Sequence, residues 1–171
     1  NVVARMGLDH DQQRVVAALA GDGQLLVIEG AAGAGKTTTL AAASKLLEGN
    51  DRRLMVVTPT LKAARVAGRQ VGTDAQSAAW LVHQYGYRWD EDGHRWRAAT
   101  KPVLAAHLLP GDVLLVDEAG MLDQDTARAL LTIADETGAR IAFVGDRHQL
   151  PAVGRGGVLD HAARWAQPEA L

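Results

Sequence analysis

The stretch EGAAGAGKTTTL, Glu29–Leu40, decides how the rest of the sequence is interpreted. Gly30, Gly35, Lys36 and Thr37 match the pattern G-x-x-x-x-G-K-[ST], in which the backbone N–H groups of a loop wrap a phosphate. The pattern stands after the apolar run QLLVIE and before a helix-like segment, which is the context it requires. Bulky side chains would obstruct such a loop, and the residues between the glycines are all small: Ala31, Ala32, Gly33 and Ala34.

This loop predicts a site for a nucleoside triphosphate with Mg²⁺. The helix after the loop would point the positive end of its dipole at the phosphates. Lys36 would add a charge at the β- and γ-phosphates, and the Thr37 hydroxyl would bind Mg²⁺. The alternative is a Gly/Ala-rich turn without a ligand. The loop alone leaves open kinases of small molecules, GTPases and motors.

An acid pair narrows the choice. In LLVDEAGML, Asp117 and Glu118 follow a buried apolar run, at the strand end where ligands of parallel sheets bind. Asp117 is expected to hold Mg²⁺ through water, and Glu118 to orient and deprotonate an attacking water. The pair favours a hydrolase, and the sequence has no Asn-Lys-x-Asp motif of the kind that reads guanine. The alternative is two acids that cap the next helix.

The segment FVGDRHQLPAVGRGG supplies a second polar cluster at a strand end. Asp146 and Gln149 are expected to reach the γ-phosphate and report its presence. The alternative is a loop in which these side chains only satisfy backbone groups.

Alternating strands and helices predict an α/β fold with a parallel sheet. Strands are expected near residues 24–29, 54–58, 112–117 and 139–144. By analogy with P-loop hydrolases of the additional-strand type, strand 139–144 should lie between strands 24–29 and 112–117. Helices are expected after Asp9 up to Gly21, over 36–48 ended by Gly49, over 61–70 and 75–84, and after the cap Asp123 up to Gly138.

One segment, YGYRWDEDGHRWR, has the period-two pattern of a β-hairpin over Tyr85–Arg97. If Trp89 lies opposite His94, then Tyr87 faces Trp96. One face would then be aromatic, and the other would carry Arg88 and Arg95. We expect this hairpin to be an insertion that projects from a single α/β domain covering residues 1–171.

Composition sets the outer limits. The 171 residues are 47% apolar, which is a globular composition, and the formal net charge of −2 gives no sign of a globally basic nucleic-acid binder. There is no cysteine, so disulfides and cysteine-based zinc sites are excluded. No membrane span or signal peptide is expected, and a cytoplasmic location fits this composition. Since the chain begins at Asn1 rather than Met, we expect it to be a piece of a longer protein.

Taken together, these motifs resemble the first RecA-like lobe of superfamily 1 DNA helicases, in the RecD-like branch found in relaxase–helicases of conjugative plasmids (TraA/TraI-like, MobF class). LDHDQQRVV is similar to the adenine-reading Q-motif, which implies that Gln12 contacts the base. GAAGAGKTT is motif I and extends the nucleotide site to Thr38. VVTPTLKAA looks like motif Ia, VDEAG like motif II, and VGDRHQLPAVGRGG like motif III. ATP and Mg²⁺ are the implied cofactors.

The resemblance implies a motor that moves on single-stranded DNA. Thr58, Thr60 and Lys62 in motif Ia would contact the strand, and Arg65 and Arg69 would extend a basic edge. A second RecA-like lobe with an arginine finger, and a relaxase domain, would lie elsewhere in the full-length chain. The hairpin would be a strand-separating pin or serve packing alone. A stand-alone ATPase acting on RNA or protein, and a non-enzymatic DNA-binding module, remain alternatives.

Overall fold

The computed structural model describes residues 6–29, 34–71, 75–145 and 168–170. The helices are α1 (His10–Ala20), α2 (Ala34–Glu48), α3 (Leu61–Val71), α4 (Ala78–Gln84) and α5 (Gln124–Thr137). The strands are β1 (Leu25–Glu29), β2 (Leu54–Thr58), β3 (Ala75–Ser77), β4 (Tyr87–Trp89), β5 (Arg95–Arg97), β6 (Val113–Val116), β7 (Arg140–Gly145) and β8 (Pro168–Ala170).

The main sheet has six strands in the order β3-β2-β6-β7-β1-β8, and every pairing in it is parallel. The four predicted strands are confirmed, and β7 lies between β1 and β6 as expected. This order brings the carboxyl ends of β1, β6 and β7 to the middle of one edge. Ligands of parallel sheets bind at such an edge.

Two outer strands were not predicted. The expected helix over 75–84 is wrong at its start, because Ala75–Ser77 pairs with Val56–Thr58 as β3. Ser77 is the N-cap of α4, where its hydroxyl accepts a hydrogen bond from the Trp80 N–H, so the helix begins only at Ala78. Strand β8 pairs with the end of β1.

Helices cover both faces of the sheet, and the alternation of side chains along the strands builds one apolar core on each face. Val27 and Phe143 belong to the core beneath α4 and α5, whereas Ile28 and Val144 belong to the core beneath α1 and α2. Burial on both faces explains why the strand segments read as continuous apolar runs. The sheet is therefore held rigidly between two layers, and its edge is a fixed platform.

The predicted helix ends are confirmed where the cap residues act. Asp9 and Gln12 form a reciprocal capping box at the start of α1, and Gly21 ends that helix. Asp123 caps α5, and Gly138 ends it in the left-handed conformation with φ of 75°.

The hairpin is confirmed as an antiparallel pair outside the main sheet, but the expected register is wrong. Tyr87 lies opposite Arg97, Arg88 opposite Trp96, and Trp89 opposite Arg95. The Asp90 carboxylate accepts hydrogen bonds from the N–H groups of Asp92 and His94, which closes a turn one residue longer than expected. A slip of one residue exchanges the faces of one strand, so Trp96 shares a face with Arg88 and not with Tyr87 and Trp89.

Candidate nucleotide site

The site is built from the carboxyl edge of the sheet and the first turn of α2. Of the predicted phosphate loop, Gly30, Ala31, Ala32 and Gly33 lie outside the described residues, and α2 begins at Ala34. Asp146 and Gln149, which follow β7, also lie outside them. Their roles therefore stay predictions. The described part holds Gly35, Lys36, Thr37 and Thr38 on one side and the acid pair on the other.

Lys36 and Asp117 meet although 81 residues separate them in sequence. The Lys36 ammonium donates to both carboxylate oxygens of Asp117, at 2.9 Å to Oδ1 and 3.2 Å to Oδ2. The side chains are only 17% and 11% exposed, so water screens this ion pair weakly. The end of β6 and the start of α2 thus bring the two predicted phosphate and metal ligands into direct contact.

The backbone fixes the acid pair from both sides. The Asp117 N–H donates to the Val57 carbonyl of the neighbouring strand, and the Glu118 N–H donates to Asp117 Oδ1 at 2.9 Å. Glu118 itself is half-buried and left-handed, with φ of 51° and ψ of 42°. A residue with a Cβ rarely adopts this conformation, and it costs roughly 1–2 kcal/mol relative to the right-handed region. The strain turns the chain sharply after Asp117, immediately before the 3-10 turn Ala119–Met121.

Three threonines in the first turns of α2 have different surroundings. Thr37 is half-buried and Thr38 is exposed. Thr39 is fully buried, and its hydroxyl donates to the Gly35 carbonyl at 2.6 Å, which tightens the start of the helix. Only the first two are therefore positioned to contact a ligand.

The donor set fits a magnesium ion. The Asp117 carboxylate already attracts a cation, since both its oxygens hold the Lys36 ammonium. Mg²⁺ in nucleotide sites takes one or two protein oxygens and completes its shell with phosphate and water, so Asp117 and the Thr37 hydroxyl suffice. Among the described residues, the cluster with metal-ligand spacing is elsewhere, at Asp90, Asp92 and His94 on the exposed hairpin tip, where Asp90 serves the turn.

Gln12 connects helix α1 to the first turn of α2. Its side-chain nitrogen donates to the Gly35 carbonyl at 3.0 Å, and its oxygen accepts from the Asp9 N–H at 3.0 Å. A carboxamide has two N–H groups and two acceptor sites, so one of each remains for a base. Beside it, a groove of about 400 Å³ lies along α2, lined by Met6, Leu8, Thr37, Thr38, Ala41, Ala42 and Lys45.

The predicted DNA contacts of motif Ia divide into one buried and two exposed residues. Thr58 is 1% exposed and donates to the Thr60 carbonyl, so its hydroxyl shapes the loop after β2. Thr60 is exposed and caps α3, where its hydroxyl accepts from the Ala63 N–H. Lys62 is exposed in the first turn of α3. Further along that helix, Arg69 donates to the Arg65 carbonyl.

The hairpin is attached to α5 by two ion pairs that sequence reasoning missed. Arg97 makes two hydrogen bonds to Glu136, at 2.6 and 2.7 Å, and lies over the Tyr87 ring at 4.6 Å. Arg95 pairs with Asp125 at 3.0 Å. Between hairpin and helix runs a groove of about 280 Å³ with basic and aromatic walls.

Trp89 and Trp96 are exposed, at 39% and 52%. By contrast, Tyr85 at the foot of the hairpin is half-buried and donates to the Ala106 carbonyl, and burial raises its pKa. The aromatic residues of the hairpin therefore divide into an internal anchor and two tryptophans open to a partner.

The geometry defines a class of protein first. A parallel sheet with a phosphate-loop motif after β1 and an acid pair after β6, joined by a lysine–aspartate contact, is the arrangement of a P-loop nucleoside triphosphatase. The chain belongs to the AAA domain family, which matches residues 7–171. Among the described helices, none combines the length and apolar character that a membrane span requires.

Curated relatives agree with the RecD-like resemblance. The chain is 36% identical to the ATP-dependent RecD2 DNA helicase of Deinococcus radiodurans over 153 residues, which is 90% of this chain and 19% of that protein. It is 34% identical to the RecBCD enzyme subunit RecD of Mycobacterium tuberculosis, over 87% of this chain and 28% of that protein. It is 26% identical to the probable conjugal transfer protein TraA of Sinorhizobium fredii, over 87% and 12%. The chain thus spans well under a third of each of these relatives.

Solved structures agree in fold. The large terminase of a thermophilic bacteriophage superposes with a TM-score of 0.56 at 13% identity, covering 95% of this chain and 45% of the terminase. NtrX from Brucella abortus superposes with a TM-score of 0.53 at 15% identity, covering 93% of this chain and 34% of NtrX. At such identities the likeness concerns the fold alone.

Proposed function

We propose that this chain is the ATP-binding lobe of an ATP-dependent translocase or helicase that acts on single-stranded DNA, as part of a conjugative relaxase. The observation that carries the proposal is the contact of Lys36 with Asp117 at the carboxyl edge of the sheet. It brings the predicted phosphate ligand and the predicted metal ligand to one point. The similarity to the RecD2 DNA helicase supports DNA as the substrate, and the similarity to the conjugal transfer protein TraA supports a role in conjugation.

The proposed roles follow from position. The amides of the loop from Gly30 to Gly35 and the Lys36 ammonium hold the phosphates, and Gln12 reads the base. The apolar walls of the groove along α2 suit the faces of that base. Asp117 and Thr37 hold Mg²⁺, which when bound neutralises charge on the phosphate oxygens.

In the hydrolytic step, Glu118 accepts a proton from the water that attacks the γ-phosphorus. The bond from that phosphorus to the bridging oxygen breaks, and the bond electrons leave with ADP, so the products are ADP and phosphate. Gln149 senses the γ-phosphate. Charge on the leaving and transferring oxygens also calls for a cation from outside the loop, and an arginine finger contributes about 10³–10⁵ in rate. We assign that cation to a second RecA-like lobe of the full-length chain.

The first experiment compares residues 1–171 alone with the two-lobed protein. We expect the isolated lobe to bind Mg·ATP with negligible ATPase activity, even with single-stranded DNA added. Lys36→Ala should abolish binding, whereas Lys101→Ala, which removes an exposed lysine outside the groove and the acid pair, should not. Glu118→Gln in the two-lobed protein should block turnover and leave binding intact. DNA-stimulated turnover by the isolated lobe would contradict the half-motor interpretation.

The second experiment tests the hairpin in the full-length protein. Base stacking on an exposed tryptophan contributes roughly 1–3 kcal/mol per base. Because Trp89 and Trp96 point to opposite faces, their separate replacement by Ala identifies the DNA-facing side. Unchanged affinity in both variants would leave the hairpin a packing role. ATPase activity that is stimulated by RNA or by a protein would favour the alternative of an ATPase acting on that partner. Absence of ATPase activity in the full-length protein would favour the alternative of a non-enzymatic module.

A further inference from the structure

The groove along α2 has a charged end that no proposed nucleotide contact uses. Thr37 and Thr38 line the groove where the helix begins, and Lys45 lines it roughly 12 Å further along the helix axis. Among the described residues of the groove wall, Lys45 is the one that carries a charge. Between the two ends the wall is apolar, formed by Met6, Leu8, Ala41 and Ala42.

Lys45 is available to a ligand. Its side chain is exposed, and within the part of the chain that the structure describes it takes part in no hydrogen bond or ion pair. Side chains of a helix lean toward its amino end, so the stem of Lys45 runs back over the turn that holds Ala41 and Ala42. The ammonium is thereby directed along the groove. A basic residue in the last turn also complements the helix dipole, but that effect does not depend on the chemistry of a ligand.

The proposed position of the base leaves one of its edges for Lys45. Gln12 is bonded to the Gly35 carbonyl and so lies at the phosphate end of α2. A carboxamide pairs with the N6 amino group and N7 of adenine. The ring atom N1 lies on the side of the base opposite the ribose. A base that extends along the groove away from the phosphates therefore turns N1 toward Lys45.

We propose that Lys45 is a specificity-determining residue that donates a hydrogen bond to N1 of adenine, so that the site accepts ATP and disfavours GTP. The inference rests on the proposed nucleotide site and adds a contact on an edge of the base that Gln12 does not read. An ammonium can only donate. Adenine N1 accepts, whereas guanine carries a hydrogen on N1 and an amino group beside it, so its donors would face the donors of Lys45.

The main test changes one atom of the ligand and one side chain of the full-length protein. Calorimetry compares Mg·ATP with Mg·1-deaza-ATP, in which a C–H group replaces N1. Wild type should bind ATP on the order of 5-fold more tightly than 1-deaza-ATP. Lys45→Met, which keeps the apolar stem, should bind both nucleotides equally and should also discriminate less against GTP. Lys45→Arg, which keeps a donor, should retain part of the preference.

Two controls separate a base contact from an effect of charge or helix stability. Lys101→Met removes an exposed lysine outside the groove and should leave the preference for ATP unchanged. Replacing N7 by a C–H group, in 7-deaza-ATP, should weaken binding by the same factor in wild type and in Lys45→Met, because N7 is assigned to Gln12.

The outcomes distinguish this inference from the nucleotide site on which it rests. Equal affinity of wild type for ATP and 1-deaza-ATP would overturn the reading of N1 by Lys45. So would a preference for ATP that persists in Lys45→Met, or an equal loss of both nucleotides in that variant. Failure of wild type to bind Mg·ATP at all would instead refute the proposed nucleotide site.

Discussion

The two edges of the main sheet both contain buried charge, but they hold it differently. At the amino edge, Arg140 donates to the carbonyls of Ala18, Leu19 and Gly23, and Arg52 donates to those of Ala20, Gly21 and Gly111. At the carboxyl edge, Lys36 is held by a single side chain, Asp117. Backbone carbonyls cannot leave, whereas a carboxylate can change partners.

The comparison separates structural charge from functional charge. Helix α1 has no basic residue in its own last turn, and the two arginines supply the positive charge that its carbonyl end favours. They fasten the end of α1 to the starts of β2 and β7. The lysine–aspartate pair, by contrast, lies where the strand ends and the start of a helix converge, and both residues are predicted to bind the nucleotide or its metal ion.

The largest expected effect comes from breaking the amino edge. Arg140→Ala should lower the free energy of unfolding by about 3 kcal/mol, because it removes three hydrogen bonds to backbone carbonyls in a place where Arg140 is 2% exposed. Urea denaturation of both proteins measures the difference. Arg69→Ala, which removes an exposed guanidinium bonded to one helix carbonyl, should change stability by less than about 0.5 kcal/mol.

Arg140 carries its positive charge at neutral pH. Burial, with a smaller contribution from Arg52, lowers its pKa to about 10, so the side chain remains protonated. Because this pKa lies below the usual value, the folded state loses the Arg140 proton before the unfolded chain does as pH rises above about 10. The free energy of unfolding should therefore be independent of this group below about pH 10 and should rise with pH above it. A loss under about 1 kcal/mol for Arg140→Ala at pH 7 would show that the amino edge is not the structural fastening described above.

How much of this could be predicted depends on where the partner of each residue lies. The place of β7 between β1 and β6 was predicted by analogy with P-loop hydrolases, and the caps Asp9 and Asp123 followed from local patterns. The hydrogen bonds of Arg52 and Arg140 could not be predicted from the sequence, because their acceptors are backbone carbonyls that any sequence provides. Lys36 and Asp117 were both predicted for the site, but as ligands of a nucleotide and not of each other.

The remaining errors have local causes. Strand β3 is three residues long, and its pairing with β2 is a tertiary contact that Ala75–Ser77 does not encode by alternation. The hairpin register depended on the Asp90 side chain, which closes the turn through two backbone N–H groups. The period-two pattern of aromatic residues identified the two strands of the hairpin, but it could not determine which residues face each other.

A smaller effect is expected from relieving strain at the carboxyl edge. Glu118→Gly should raise the free energy of unfolding by about 1 kcal/mol, since glycine adopts a φ of 51° without the Cβ penalty. The same change should abolish ATP turnover in the two-lobed protein, because the proposed base is gone. Thermal unfolding and an ATPase assay measure the two effects.

Asp51 provides the matched control for that experiment. It is the other described residue with a side chain at positive φ, at 56°, and it is exposed in the turn after α2. Asp51→Gly should give a similar gain in stability with unchanged turnover. If Glu118→Gly lowers stability instead, the left-handed turn is held by contacts of the carboxylate and stores no strain for function.

The smallest effect concerns the ion pair between Arg97 and Glu136. It tests how much a structural charge contributes where the side chains are exposed. The hydrogen bonds from Arg97 lower the pKa of Glu136, so the folded state releases this proton more readily than the unfolded chain does. The pair therefore stabilises fully above the unfolded-state pKa, and its contribution is lost as pH falls through the lower folded-state value. With side chains 40% and 43% exposed, it should contribute no more than about 1 kcal/mol. Denaturation of wild type and Glu136→Gln should show a difference at pH 7 that disappears in acid. If the difference in stability between wild type and Glu136→Gln persists in acid, Glu136 anchors the hairpin by packing and not by its charge. The ion pair of Arg95 with Asp125 would then be the one that holds the hairpin by charge.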